Sequence, residues 1–227
     1  MTRAVITGVS RGIGRATALA FANRGVELAL LGRESDAHAQ TCSDCRDLGV
    51  TVHSYACDLA DHEAIGTAAQ ALLADGDPPD VVVNNAALLE RGPRIHELQI
   101  EAWDRIMAVN LRGPFLLCRA LLPAMLARGS GRFIQIASIS GTIGCPQMAP
   151  YGVSKWGLIG FTRALADELR GTGLQALAIL PGSVDTARLA QTPFEPDMSA
   201  DDVAAVILVH ALDAPAAVTG SCVQIYG

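Results

Sequence analysis

Seven short runs rich in β-branched and other apolar residues recur along this 227-residue chain, and helical patterns fill the gaps between them. That alternation limits the possible folds more than any other feature. The runs lie at residues 4–7, 27–31, 51–56, 81–83, 132–137, 175–180 and Cys222–Ile225. Apolar residues at helical spacing are clearest over 13–24, 62–73, 102–127, 156–170 and 200–212. Strands that alternate with helices form parallel pairs through right-handed crossovers, so helices cover both faces of the sheet. The expected architecture is α/β: one domain over 1–227 with a doubly wound, seven-stranded parallel sheet of Rossmann type. Pro78-Pro79 and Gly129-Ser-Gly131 read as loops inside that domain rather than boundaries.

The first strand–helix junction has its own chemistry. Residues 3 to 14 read Arg-Ala-Val-Ile-Thr-Gly-Val-Ser-Arg-Gly-Ile-Gly, a strand that runs into Gly8, Gly12 and Gly14 and then into a helix. Glycines let the backbone approach a pyrophosphate, and the helix N-terminus adds N–H donors and a positive dipole. The spacing is Gly-x-x-x-Gly-x-Gly rather than Gly-x-Gly-x-x-Gly.

A second constellation lies near the middle of the chain. Tyr151 and Lys155 stand four apart, one turn along a helix face, and Ser138 precedes Tyr151 by thirteen positions. A lysine so placed can lower the pKa of the phenol and make it a proton donor or acceptor near neutral pH. A Tyr-x-x-x-Lys pair alone equally fits a solvated helix face.

With the glycine loop, these residues resemble the short-chain dehydrogenase/reductase family along the whole chain. The likeness rests on Thr7-Gly8-Val9-Ser10-Arg11-Gly12-Ile13-Gly14, Asp58-Leu59, Asn84-Asn85-Ala86-Ala87, Asn110, Ser138, Tyr151 with Lys155, and Pro181-Gly182 through Val184 and Thr186. Ala87 departs from the glycine usual in relatives. The resemblance implies hydride transfer between a nicotinamide and a carbonyl carbon, with Tyr151 moving the proton. It implies that Ser138 polarises the carbonyl oxygen, that Lys155 assists Tyr151 and holds the nicotinamide ribose, and that Asn110 completes a water-linked proton relay. Ser140 competes for the serine role, and the thirteen-residue interval selects Ser138. Cofactor contacts are expected from Gly8, Ser10, Arg11, Gly12, Ile13, Gly14, Arg33, Asp58, Leu59, Asn85, Ala86, Tyr151, Lys155, Pro181, Gly182, Val184 and Thr186. Asp58 and Leu59 would meet the adenine and Thr186 the carboxamide.

Charge at the end of the second strand bears on which cofactor. A free ribose diol suits a carboxylate and a 2′-phosphate needs cations. Relatives that prefer NAD usually carry Asp where Gly32 stands, whereas Arg33 and Arg11 match NADP-preferring ones, so NADP(H) is expected. Glu34 is near enough to weaken the effect. The substrate is expected to be a small carbonyl or alcohol. By resemblance its pocket draws on Leu88, Leu89, Thr142, Cys145, Met148, Leu189 and Phe194, under a short lid over 187–197. A 3-oxoacyl-carrier-protein reductase is the alternative, although Gly129 and Thr172 stand where such enzymes dock their acidic carrier with basic residues, with Arg128 and Arg170 close by. A non-catalytic nucleotide-binding regulator would be expected to lack the catalytic residues, which are all here.

A net charge of −6 argues against nucleic acid as the main partner. Only Met1-Thr2-Arg3 precedes the first strand, and apolar stretches are broken before they reach a membrane span, so a cytoplasmic protein without membrane association is expected. Six cysteines include Cys42 and Cys45 at metal or redox spacing, yet no second pair or nearby His completes a site, and no metal is expected. Relatives pair through the two helices that flank Ser138, so a homodimer or homotetramer is expected. With the sequence stopping at Gly227, no tail would reach a neighbouring pocket, and the helix-pair contact should be the stronger one.

Overall fold

The computed structural model describes residues 2–187, 189 and 195–227. Among them, seven parallel strands form one sheet in the order β3-β2-β1-β4-β5-β6-β7. They are β1 (Arg3–Thr7), β2 (Glu27–Gly32), β3 (Val52–Ala56), β4 (Val81–Asn84), β5 (Gly131–Ile136), β6 (Leu174–Pro181) and β7 (Cys222–Ile225). The helices between them are α1 (Gly12–Asn23), α2 (Asp36–Asp47), α3 (His62–Ala74), α4 (Ile100–Met107), α5 (Gly113–Arg128), α6 (Ala149–Glu168) and α7 (Ala200–Leu208). The chain runs outward from β1 to β3, then crosses back to β4 and outward again to β7. The order therefore reverses between β1 and β4, which pair in register from Ala4 with Val81 to Ile6 with Val83.

Alternation along the strands builds two cores. Ala4, Ile6, Leu28, Leu30, Val81 and Val83 face Phe21 of α1, Val203 and Ile207 of α7, and the buried Cys42 and Cys45 of α2. Val5, Ala29, Leu31, Val82 and Phe133 face Ile65 and Leu72 of α3, Leu117 and Leu121 of α5, and Leu165 of α6. Strands covered on both sides need apolar residues at successive positions, which is why the sequence shows short continuous apolar runs.

Three expectations change. The helix expected over 102–127 is α4 and α5 joined by a π turn, Ala108–Arg112, and α7 likewise ends in a π turn, Val209–Asp213. The helix expected at 156 starts at Ala149, because Pro150 fits a first turn, where its missing N–H costs nothing. The third change concerns membrane length. Ile100–Arg128 is a 29-residue helical run that contains an 18-residue window of mean hydropathy 1.2, long and apolar enough by length and composition to cross a bilayer. In the sequence, apolar stretches read as broken before they reach a membrane span, but the helical run continues through Gly113 and Pro114. Half of that window is buried inside the protein, where Leu117, Cys118, Leu121 and Met125 meet the sheet.

Candidate active site

At the carboxyl ends of β1 and β4 a cleft of about 600 Å³ opens, at the point where strand order reverses. Its floor is the glycine loop. Gly8 turns with φ +73°, and a Cβ there would stand 2.7 Å from the Cα of Ala86. At Gly14 an added Cβ would collide with the carbonyl of Gly8 and the amide of Asn85. The loop is held from beneath. The Thr7 hydroxyl accepts from the N–H groups of Asn85 and Ala86, both at 3.0 Å, and the Asn85 amide donates to the carbonyls of Thr7 (2.9 Å) and Gly8 (3.1 Å). Thr41 of α2 donates to the Val9 carbonyl. The backbone N–H groups that start α1 are thus presented to the cleft by a rigid turn.

The other expected residues gather around the same space. Ser10, Arg11, Gly12, Ile13, Arg33, Asp58, Leu59, Ala86, Ala87, Pro181, Gly182, Val184 and Thr186 line the cleft together with Ser138, Tyr151 and Lys155. Asp58 uses one carboxylate oxygen to accept from the Ala60 N–H. Arg11 and Arg33 are exposed at the rim, and among the described residues neither makes an ion pair.

Ser138 follows β5 and caps the short turn after it. Its Oγ accepts from the Ser140 N–H at 3.1 Å, which leaves the hydroxyl proton to be donated elsewhere. Ser138 lines the cleft and Ser140 does not. Tyr151 lies in the first turn of α6, and Lys155 follows one turn later. Lys155 is only 2% exposed. Its ammonium donates to the Ile136 carbonyl at 2.7 Å and lies 5.6 Å from the centre of the Tyr151 ring.

Asn110 is not on the cleft wall. It is fully buried in the π turn, where its side chain accepts from the Leu88 N–H (2.7 Å) and donates to the Leu88 carbonyl (2.8 Å) and to Ser154 Oγ (3.1 Å). Ser154 in turn donates to the Tyr151 carbonyl at 2.7 Å. A chain of hydrogen bonds therefore ties the segment after β4 to the helix that carries Tyr151. Sequence reasoning passed over Ser154, and its place next to Lys155 was the one signal available. It also passed over Cys57 and His38, which line the cleft. Burial pushes the Cys57 thiol up to about 11 and that of Cys45 in α2 also to about 11, so both stay protonated at neutral pH.

Of the expected substrate residues, Leu88, Leu89 and Leu189 line the cleft. Cys145 lines a neighbouring cavity of about 580 Å³ instead, while Thr142 and Met148 line neither. Phe194 lies outside the described residues.

The short chain dehydrogenase family model matches residues 2–196. The chain belongs to that family. The family is one of oxidoreductases, and its members resemble this chain over most of its length. The 3-oxoacyl-acyl-carrier-protein reductase of Escherichia coli (strain K12) is 32% identical over 99% of this chain and 95% of its own length. D-threitol dehydrogenase of Mycolicibacterium smegmatis is 35% identical over 81% of this chain and 70% of its own. A solved actinorhodin polyketide ketoreductase with NADPH has a TM-score of 0.92 at 30% identity, covering 100% of this chain and 96% of that one. A 3-oxoacyl-acyl-carrier-protein reductase from Brucella melitensis, with bound NAD, has a TM-score of 0.90 at 31% identity, covering 100% and 90%. Solved structures this similar thus occur with either nicotinamide cofactor.

Proposed function

We propose that this short-chain dehydrogenase interconverts a carbonyl and an alcohol on a small molecule with NADP(H), using Tyr151 as the acid–base group. The observation that carries the proposal is the buried Lys155 ammonium beside Tyr151, in the same cleft as Ser138 and the glycine loop. The cleft suits a dinucleotide: Gly8 and Gly14 let the loop pack tightly against Ala86 and Asn85, and the N-terminus of α1 opens toward the cleft. Gly8 to Gly14 would hold the pyrophosphate, Asp58 and Leu59 the adenine, and Lys155 and Thr186 the nicotinamide end. When bound, the nicotinamide supplies the hydride donor or acceptor that the family's chemistry requires.

The protein's own groups handle oxygen and proton. Ser138 donates a hydrogen bond to the carbonyl oxygen and keeps its proton, which favours the negative charge that grows there during reduction. Tyr151 delivers its phenolic proton to that oxygen, or removes it in the reverse direction. Lys155 stabilises the negative charge left on the phenol, and the Ile136 carbonyl fixes where that cation stands. Asn110 and Ser154 hold the Tyr151 turn, and Asn110 is the proposed start of a relay from Lys155 toward solvent.

NADP(H) is favoured over NAD(H) because Arg11 and Arg33 stand at the cleft rim while Gly32 offers no carboxylate to a ribose diol. The wall of Leu88, Leu89 and Leu189 favours a substrate with an apolar flank. A 3-oxoacyl thioester on a carrier protein is the second reading, motivated by likeness to the Escherichia coli reductase over nearly its whole length. Against it, the Arg128 guanidinium is held by the carbonyls of Pro78 and Pro79, and Arg170 by Asp167. The test is a spectrophotometric screen of small ketones, quinones, sugars and acyl thioesters with each nicotinamide, run alongside Tyr151→Phe. Turnover that survives in Tyr151→Phe would remove Tyr151 from the acid–base role. Preference for carrier-bound over free thioesters would establish the second reading.

A further inference from the structure

Gly32 ends β2 at the cleft, paired with Ala56 of β3, and its carbonyl accepts from the Cys57 N–H at 2.9 Å. Its backbone is ordinary strand, which any residue adopts, and glycine inside a strand is normally a loss. The conformation therefore gives no reason for glycine here. The reason lies across from it. A Cβ on Gly32 would stand 3.0 Å from Nδ1 and 3.4 Å from Cε1 of His38, and nothing else lies within 4 Å.

His38 cannot easily give way. It is 6% exposed, and its Nε2 is 2.9 Å from Ser54 Oγ on β3. Its backbone N–H is tied to the Ser35 side chain that caps α2. The ring is pinned at its far nitrogen and at its backbone, and both Gly32 and His38 line the cleft. This is the place where a carboxylate would meet a ribose diol in a dinucleotide site.

We infer that His38 is a positioning residue that restricts what position 32 can hold: by filling the space over Gly32 it keeps a side chain, and with it a ribose-binding carboxylate, out of the end of β2. It acts through Gly32 and leaves the ribose edge to Arg33. The inference rests on the proposed binding of a nicotinamide dinucleotide in this cleft. It has a direct consequence for changing cofactor preference. Asp at position 32 should succeed only when His38 is also reduced in size.

The experiment measures NADPH and NADH dissociation constants by fluorescence titration for the wild type, Gly32→Asp, His38→Ala and the double variant. His38→Ala alone should keep the wild-type preference. Gly32→Asp alone should gain little NADH affinity, and the double variant should bind NADH about tenfold more tightly than that single variant, a coupling typical of side chains in contact. NADH binding as tight in Gly32→Asp as in the double variant would overturn the inference while leaving the cofactor reading intact. Failure of the wild type to bind either dinucleotide would overturn both. Should the aspartate variants fold poorly, Gly32→Ala supplies a readout without cofactor. It should lower Tm more in the wild-type background than in His38→Ala, and equal losses would overturn the steric premise.

Discussion

A lysine ammonium taken almost wholly out of water carries a large desolvation cost, and Lys155 offsets it with the Ile136 carbonyl and the face of Tyr151. Such a cost is sustained where the charge is used. Tyr151→Phe keeps the ring and removes the proton, so kcat should fall by roughly 10²–10⁴-fold while cofactor affinity, measured by titration, stays near wild type. Lys155→Ala should lower both kcat and cofactor affinity, since in the proposed mechanism one ammonium serves both phenol and ribose. Arg33→Ala should weaken NADPH binding by about 1.5–3 kcal/mol and leave NADH unchanged. Equal wild-type affinity for the two cofactors would show that Glu34 or the loop geometry overrides the arginines. That Tyr151, Lys155 and Ser138 belong together was legible in the sequence through residue type and interval read with the glycine loop, and the structure puts all three on one cleft. Ser154 and His38 were not legible, because what defines them is a partner elsewhere: Asn110 lies 44 positions from Ser154, and Ser54 lies 16 from His38.

Strand and helix order was readable because most strands are short apolar runs followed by apolar residues at helical spacing, with β3 and α2 the weakest signals of the pattern. What the sequence concealed were irregularities that only packing decides. The π turn at Ala108–Arg112 buries Asn110 between Leu88 and Ser154, and nothing in Ala-Val-Asn-Leu-Arg marks it as other than ordinary helix. The α2 element carries a pH signature. Desolvation lowers the pKa of His38 below its ordinary 6.5, so the unfolded chain takes up a proton there more readily than the folded one. Its contribution to stability is complete above 6.5 and is lost as pH falls through the lower, folded value. Denaturant midpoints should therefore decline in mildly acidic buffer, and less so for His38→Gln, which carries no titrating ring. At α7, Ser199 and Asp202 form a reciprocal capping box, with Ser199 Oγ accepting from the Asp202 N–H at 3.2 Å and Asp202 accepting from the Ser199 N–H at 2.8 Å. Ser199→Ala should cost about 1 kcal/mol in chemical denaturation, because α7 would lose its first-turn partner while its packing on α1 stays in place.

At the scale of the molecule, the two faces of the sheet bury most apolar helix positions, and several of those left exposed lie on α4, α5 and α6. Phe115 of α5, Val153 and Trp156 of α6, and Ile100 of α4 remain exposed, Trp156 at 54%. Phe115 meets Phe161 of α6 edge-on at 6.0 Å, so these exposed side chains belong to helices already packed side by side. Scattered apolar residues on a surface need no explanation, but large ones gathered on adjoining helices mark a surface that another chain covers. The sequence showed this only as extra apolar positions on two helices, without saying which would point away from the core. We propose that a second copy of the chain covers this face, giving a homodimer that can pair again into a tetramer. An interface tryptophan commonly carries about 2 kcal/mol or more, so Trp156→Glu should raise the dimer dissociation constant by roughly thirtyfold or more. Light scattering at micromolar concentration should then show the variant shifting to smaller species while its circular dichroism stays that of the wild type. A wild type that is monomeric under those conditions would defeat the proposal.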